Sequence, residues 1–339
     1  MTTAAVVSFR LGGRDGVAVE ARKWIDALQT LGVGIRTVAG TGSADVLVAG
    51  LGIDDDRAVD HDALAEALAG VDVVIVENLL SLPLNPPAAA AVAGALAGRP
   101  AVLHHHDLPW QRERFAGWPP PPHDPRWVHV TINERSRGEL AAAGIDAITL
   151  YNRFAIDAPS PNRDATRTAA GLTGRVALHP TRAIPRKNVP AALALAEAIG
   201  ATYWLVGDAE DGYGDELGRL LAAARVPVLR AAIPPGRSIA DAYAACDLVV
   251  FPSTWEGFGN PTIESAIHRR PLAVARYPVA EELLAFGFRW FDPGDAAGID
   301  AFLRDPDDDL LDHNRRIARD HFSLDRLPSE LAAVLERVL

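Results

Sequence analysis

Two carboxylates, Glu256 and Glu264, bracket the stretch richest in chemistry, Phe251-Pro-Ser-Thr-Trp-Glu-Gly-Phe-Gly-Asn-Pro-Thr-Ile-Glu264. Ahead of it, Asp247-Leu-Val-Val-Phe251 is an apolar run with β-branched residues at its centre, the pattern of a short buried strand. After it, Asn260 suits a helix cap and Pro261 the first helical position, which puts Glu264 in the first turn. The loop between them would lie at the carboxyl end of a parallel sheet, where open α/β folds bind ligands. Gly257 and Gly259 allow close backbone approach, a helix start favours an anion, and a carboxylate accepts hydroxyl hydrogens. That combination suits a ligand carrying both hydroxyls and phosphates.

A second constellation is cationic. The strand over 175–178 runs into His179-Pro-Thr-Arg182-Ala-Ile-Pro-Arg186-Lys187-Asn188, and a helix is predicted over 189–199. Arg182 offers a rigid fork and Lys187 a mobile point charge, well placed to clamp a diphosphate; Arg186 reads as an ordinary solvated member of the turn. Only Lys23 and Lys187 are lysine, the other 31 of the 33 basic residues being arginine, so Lys187 stands out. A third constellation is His104-His105-His106-Asp107-Leu108 at the end of a strand begun by 101–103. On a strand His104 and His106 share one face and His105 points the other way. A His-x-His pair opens a metal site only with further ligands, and the sequence nominates none, so metal, packing and substrate-contacting roles stay open for these histidines.

The stretch from Glu256 to Glu264 resembles the Glu-x7-Glu signature of the retaining nucleotide-sugar glycosyltransferases of family 4, Glu-Gly-Phe-Gly-x-Pro-x-x-Glu, at every fixed position. The resemblance implies two Rossmann-like α/β domains facing a central cleft, the GT-B type, over nearly the whole chain. It also implies roles. Glu264 would accept hydrogen bonds from the ribose hydroxyls. Glu256, with the backbone of Gly257, Phe258 and Gly259 and the adjoining Asn260, would hold the transferred hexose. Arg182 and Lys187, at the spacing of the family's Gly-Arg-x4-Lys-Gly with Thr181 and Asn188 in place of its glycines, would neutralise the diphosphate. The Gly12-Gly13 turn would meet donor phosphates and acceptor, and His106-Asp107-Leu108 matches a family pattern in which the histidine faces sugar and acceptor. Trp110, Arg112 and Arg114 look like a subgroup with small, acidic, glycerate-type acceptors. Residues 230–235 would line the nucleobase pocket. Asn152 keeps one position of the family's Asn-Gly-x-Asp turn, where Arg153 replaces the glycine.

The elements that must position these residues alternate strand and helix through both halves. Residues 4–9 read as the first strand, 72–76 as a buried strand ending at Glu77-Asn78, and 127–132 as another before a helix over 134–143. The expected organisation is an acceptor-side domain over 1–157, a linker over 158–174, a nucleotide-sugar domain over 175–320, and a terminal segment 321–339 that crosses back to brace the first domain. The carboxylate runs Asp54-Asp55-Asp56 and Asp305 to Asp309 read as solvated caps rather than metal motifs. Strand–Gly12-Gly13–helix lacks the Gly-x-Gly-x-x-Gly fingerprint, which argues against an NAD enzyme.

At 339 residues and 49% apolar, the chain can build two cores, and a single cysteine, Cys246, excludes an internal disulfide. A net charge of -11 argues against nucleic-acid or anionic-membrane binding. No apolar run reaches the length of about 18 residues that suggests a spanning helix, and Thr2 to Phe9 read as a strand rather than a leader, so the cytoplasm is the expected location. The expected activity is retaining transfer of a hexosyl group from GDP-mannose, UDP-glucose or UDP-N-acetylglucosamine to a small polar hydroxylated acceptor. No cofactor and no obligatory metal are expected, and oligomerisation is left open. The alternatives are a sugar-nucleotide epimerase or phosphorolytic enzyme of the same fold, and a non-catalytic sugar-nucleotide-binding protein.

Overall fold

Short runs rich in Val, Ile, Leu and Ala pair side by side, always in parallel, because helices cover both faces of each sheet. The computed structural model describes residues 2–13, 15–157, 161–230 and 233–339. Positions 158–160 of the expected linker and 231–232 of the expected nucleobase segment lie outside the described residues. The chain folds as two compact units, residues 1–153 with 324–339, and residues 154–323.

In the first unit β1 (Thr3–Leu11), α1 (Gly16–Thr30), β2 (Gly34–Gly42), β3 (Val46–Leu47), α2 (His61–Ala67), β4 (Val73–Glu77), α3 (Pro86–Leu96), β5 (Ala101–His105), β6 (Trp127–Thr131), α4 (Glu134–Ala142) and β7 (Ala147–Thr149) follow in order. The seven strands are arranged β3-β2-β1-β4-β5-β6-β7, so the direction of winding reverses between β1 and β4. Loops at such a reversal diverge and leave room for a ligand at the carboxyl ends of the strands. Gly12 and Gly13 follow β1 there, Glu77 ends β4, and the pairing Glu77 with His104 sets the end of β5 beside it.

The second unit runs α5 (Arg163–Ala170), β8 (Val176–His179), α6 (Val189–Ala198), β9 (Thr202–Leu205), α7 (Gly214–Ala222), β10 (Val228–Arg230), α8 (Ile239–Ala245), β11 (Leu248–Phe251), α9 (Pro261–Ile267), β12 (Leu272–Val274), α10 (Pro278–Leu284), α11 (Ala296–Arg304) and α12 (Asp308–Phe322). Its strand order is β10-β9-β8-β11-β12, with the reversal between β8 and β11. The basic turn after β8 and the glutamate loop after β11 therefore flank the same point. Beyond these strands, Phe291 makes a single parallel bridge with Ala273 of β12.

The expected linker is corrected by α5. Asn162 caps this helix, and Arg163 and Arg167 donate to the carbonyls of Ala244 and Ala245, the last of α8, and of Cys246 just beyond it. Cations suit that end of a helix. Both guanidiniums also reach Asp247, 2.5 Å from Arg163 and 3.4 Å from Arg167, and Asp247 accepts the amide of Val176 at 2.9 Å. Loop-like composition in 161–174 thus conceals a helix tied to the second sheet through arginine.

The last helix, α13 (Leu327–Val338), belongs to the first unit. Leu327, Leu331, Val334 and Val338 form its apolar stripe and pack with Trp24 and Leu28 of α1 and with Val102 and Val130 of the sheet. Arg153, in place of the family glycine, is buried and forks onto Glu330, with Nε 2.9 Å from Oε2. No helix among the described residues is long and apolar enough to cross a membrane.

Replacing Asp247 by Asn removes the charge that gathers Arg163, Arg167 and the Val176 amide. We expect a loss of about 1–3 kcal/mol in urea unfolding and faster proteolytic cutting within 161–174. Unchanged cutting would mean that α5 is not held by this carboxylate.

Candidate active site

In the second unit the basic turn and the glutamate loop are stitched together before any ligand is considered. Residues Pro185–Lys187 form one turn of 3-10 helix, and the Arg186 carbonyl accepts the amide of Thr254 at 2.9 Å. Asn188 has φ 52°, in the left-handed region, and caps α6 through Ala191. That conformation explains why asparagine stands where the family has glycine. Lys187 Nζ then lies 2.5 Å from Glu256 Oε1, and Arg186 Nη1 lies 2.8 Å from Glu256 Oε2 and 2.7 Å from the Trp255 carbonyl. Lys187 and Glu256 are both only 7% exposed, so this pair of the ion triad is largely shielded from water, while Arg186 keeps part of its side chain in solvent. Burial works to raise the Glu256 carboxyl, but the Lys187 and Arg186 charges outweigh it and hold the group below the usual carboxylate range. Burial in turn lowers Lys187 to about 8 against the pull of Glu256.

Arg186 is the residue that the sequence reading placed wrongly. Its neighbours in the chain gave no sign that the turn would aim it inward at Glu256. Arg182 does the reverse: it is half-exposed and pairs at 2.6 Å with Glu210 instead of joining the triad. It stands at the mouth of the same loop, where Gly207 packs so closely that an added Cβ would lie 2.6 Å from Arg182 Cα.

The signature loop has a physical reason for its glycine at 259. Gly259 has φ +95°, and a Cβ there would meet the Tyr277 hydroxyl at 2.1 Å. That hydroxyl donates to the Phe258 carbonyl at 3.2 Å, holding the loop main chain. Phe258 itself turns into the core, 4% exposed, against Phe154 and Phe322, so only its backbone can serve a ligand. Asn260 precedes α9, but its side chain does not cap the helix; its carbonyl accepts the amides of Ile263 and Glu264. Glu264 remains partly exposed and accepts a 2.6 Å hydrogen bond from the hydroxyl of Tyr243. Burial keeps Tyr243 protonated far above the ordinary tyrosine range, so it stays a donor. Tyr243 was not legible as a site residue, since it reads as one more apolar position of α8.

The first unit builds a polar cluster at its own winding reversal. Glu77 is fully buried, and its Oε2 lies 2.9 Å from His104 Nδ1 and 3.1 Å from His106 Nε2. Trp24 stacks on His104 with ring centres 4.0 Å apart, and Asn78, at φ 58°, accepts the His106 amide at 3.0 Å. Glu20 and Lys23 of α1 pair nearby, with Lys23 also donating to the Arg153 carbonyl at 2.6 Å. Glu77, His104 and His106 each offer a ligand atom within 4.8 Å of the others, so Glu77 is the third group that the sequence did not nominate. His105 points the opposite way, as alternation requires, to Ser81 at 2.6 Å and His129 at 2.9 Å. At the β1–α1 turn Gly12 has φ +74° and crowds Ser43, while Asp15 caps α1 and binds Arg10 at 2.7 Å. A Cβ on Gly13 would lie 2.8 Å from that Asp15 carboxylate. Trp110 and Arg112, expected near an acidic acceptor, are turned onto Glu139 and Asp107 at 2.8 Å each. Arg114 lies over the Phe115 ring, and Asn152 is buried.

Two α/β units, each with a parallel sheet whose loops diverge at a winding reversal, give this chain the GT-B fold. Residues 176–305, within the second unit, match the family model of glycosyl transferases group 1. Two curated relatives are both named mannosylglucosylglycerate synthase. The Thermotoga maritima protein is 23% identical over 97% of this chain and 98% of its own length, and the Petrotoga mobilis protein 25% over 86% of each. Among solved structures, Anabaena HepE in complex with UDP-glucose superposes with a TM-score of 0.76 at 20% identity over 98% of this chain and 99% of that one. Sucrose-phosphate synthase from Thermosynechococcus elongatus gives 0.75 at 13% identity, over 100% of this chain and 99% of that one.

Buried histidines set the acid limit of the fold. Burial, helped by the Lys187 charge, lowers His179 to about 3, and burial lowers His129 and His268 to about 4 each. Each is neutral in the folded chain but gains a proton on unfolding once the pH is below the ordinary value of 6.5. Stability should therefore fall as pH drops from 6.5 toward 4, by about 1.4 kcal/mol per pH unit for each such histidine. Urea unfolding at pH 7, 6 and 5 measures the slope, and a level profile would contradict it.

Proposed function

We propose that the protein is a retaining hexosyltransferase that uses a nucleotide diphosphate sugar and a small polar hydroxylated acceptor. The observation that carries this reading is the Arg186–Glu256–Lys187 triad at the β8/β11 reversal, with Glu264 on the next helix turn. Two cations on one carboxylate leave the loop with an excess positive charge. Arg182 adds a third cation whose exposed pair with Glu210 is worth little and is cheaply exchanged for a phosphate. Three basic groups supply the charge neutralisation that a metal ion gives elsewhere, so transfer is proposed to need no metal.

In this reading Glu264 takes the ribose hydroxyls, with Tyr243 fixing one of its oxygens. Glu256, aligned by Arg186, takes hydroxyls of the hexose beside the Gly257–Gly259 backbone. Lys187 meets the charge that grows on the diphosphate as the glycosidic bond breaks. The leaving phosphate oxygen accepts the proton of the attacking hydroxyl on the same face, which retains the anomeric configuration. The acceptor class is supported by the relatives' name, which joins mannosyl, glucosyl and glycerate groups. The HepE complex makes UDP-glucose the first donor to test.

Incubation with UDP-, GDP- and ADP-sugars, with and without EDTA, tests the reading by release of free nucleotide. One donor should be consumed in an EDTA-resistant manner. Glu256→Ala and Lys187→Ala should each lower kcat/KM by about 100-fold or more. Release that EDTA abolishes would overturn metal independence. Stabilisation by a donor without release would favour the epimerase or the non-catalytic binding alternative, no response to any donor would favour the phosphorolytic one, and an inverted product anomer would overturn retention.

The same site predicts a pH effect. Lys187 loses its charge above about 8 in the free enzyme. Donor kcat/KM, which reports free-enzyme groups, should decline above that pH, while Lys187→Arg should show a lower but level profile across the same range.

A further inference from the structure

Glu77 is a buried ionisable group that the donor reading leaves without a task. It is 0% exposed, so no ligand reaches it without rearrangement, yet its Oε2 stands against ring nitrogens of two histidines. Burial works to raise its carboxyl, but His104 and His106 outweigh that and keep it ionised at neutral pH. An ionised carboxylate only accepts, so His104 Nδ1 and His106 Nε2 must both carry hydrogen.

We propose that Glu77 is a positioning residue that locks His106 as the Nε2–H tautomer and so presents Nδ1 as a hydrogen-bond acceptor for a hydroxyl of the sugar or acceptor. This rests on the glycosyl-transfer reading and names the chemistry of its acceptor-side contact. His106 is 6% exposed, its Nε2 is committed to Glu77, its amide is held by Asn78, and no hydrogen bond among the described residues reaches its Nδ1. Trp24 fixes His104 from the other side by stacking, which completes a rigid mount for the carboxylate. The group selected by such a site is a neutral hydroxyl donor.

The same three side chains have the donor set of a metal site, but the details favour the hydrogen-bonded reading. A ligating imidazole must be deprotonated at the metal and usually donates its other N–H to a fixed partner. His104 Nε2 is buried with no hydrogen-bond partner among the described residues, which suits a bare lone pair on a ring whose hydrogen faces Glu77.

The test joins a tautomer measurement to a mutant cycle. Ring-15N histidine spectra of the wild-type protein near pH 7.5 should show His106, assigned by its loss in His106→Gln, protonated at Nε2 and bare at Nδ1. Glu77→Gln should lower kcat for transfer by about 10- to 100-fold, with donor KM changed less than about twofold. The double variant Glu77→Gln/His106→Gln should be no slower than His106→Gln, because Glu77 acts through His106. An Nδ1–H tautomer, additive losses, or one equivalent of tightly bound Zn²⁺ lost in Glu77→Gln would each overturn the proposal. Should the wild-type protein consume no donor, the glycosyl-transfer reading fails, and the wild-type tautomer alone then decides the role of Glu77.

Discussion

The second unit is organised by a charge problem placed at the one point where its sheet changes direction. Taking Lys187 and Glu256 out of water costs several kcal/mol per ion, and their attraction repays this only when the remaining hydrogen-bonding capacity is also met. Arg186 supplies the second cation on Glu256 and also ties the carboxylate to the Trp255 carbonyl. Much else in the unit serves this arrangement. Asn188 adopts a left-handed conformation to turn the chain into α6, Gly207 lets the loop after β9 press against Arg182, and Gly259 makes room for Tyr277. A centre of this kind is a poor choice for stability alone, since apolar replacements of similar volume are often at least as stable.

Each unit repeats one solution with different chemistry. Loops diverging at a winding reversal receive a carboxylate, and basic or imidazole groups from the neighbouring strand end are turned onto it. In the second unit the partners are lysine and arginine, which carry charge into the site. In the first they are histidines, which carry hydrogen-bond direction instead.

The parts legible from sequence were those dictated by local pattern. Buried strands such as 73–77 and 248–251 announce themselves by apolar runs, and the Glu256–Glu264 spacing specifies its own loop and helix. The opposed faces of His104 and His105 followed from strand alternation. What escaped depends on contacts across the chain. Nothing local to Arg186 distinguishes it from Arg182, since the inward aim of one and the exposure of the other come from how the 185–187 turn docks on Thr254. The linker reading failed because residues 163–170 owe their helix to Asp247 and the end of α8, over 70 residues away. The sequence places Glu77 at the carboxyl end of a strand and does not single out Tyr243, and only tertiary packing gives them their partners.

The division of the chain has a consequence for biosynthesis. The helix that covers one face of the first sheet is encoded after the entire second unit, and Arg153 waits for Glu330 until then. During translation, residues 1–153 emerge with Trp24, Leu28, Val102 and Val130 uncovered, while the second unit can complete its core beforehand. The first unit can therefore complete its core only after the second unit has been made.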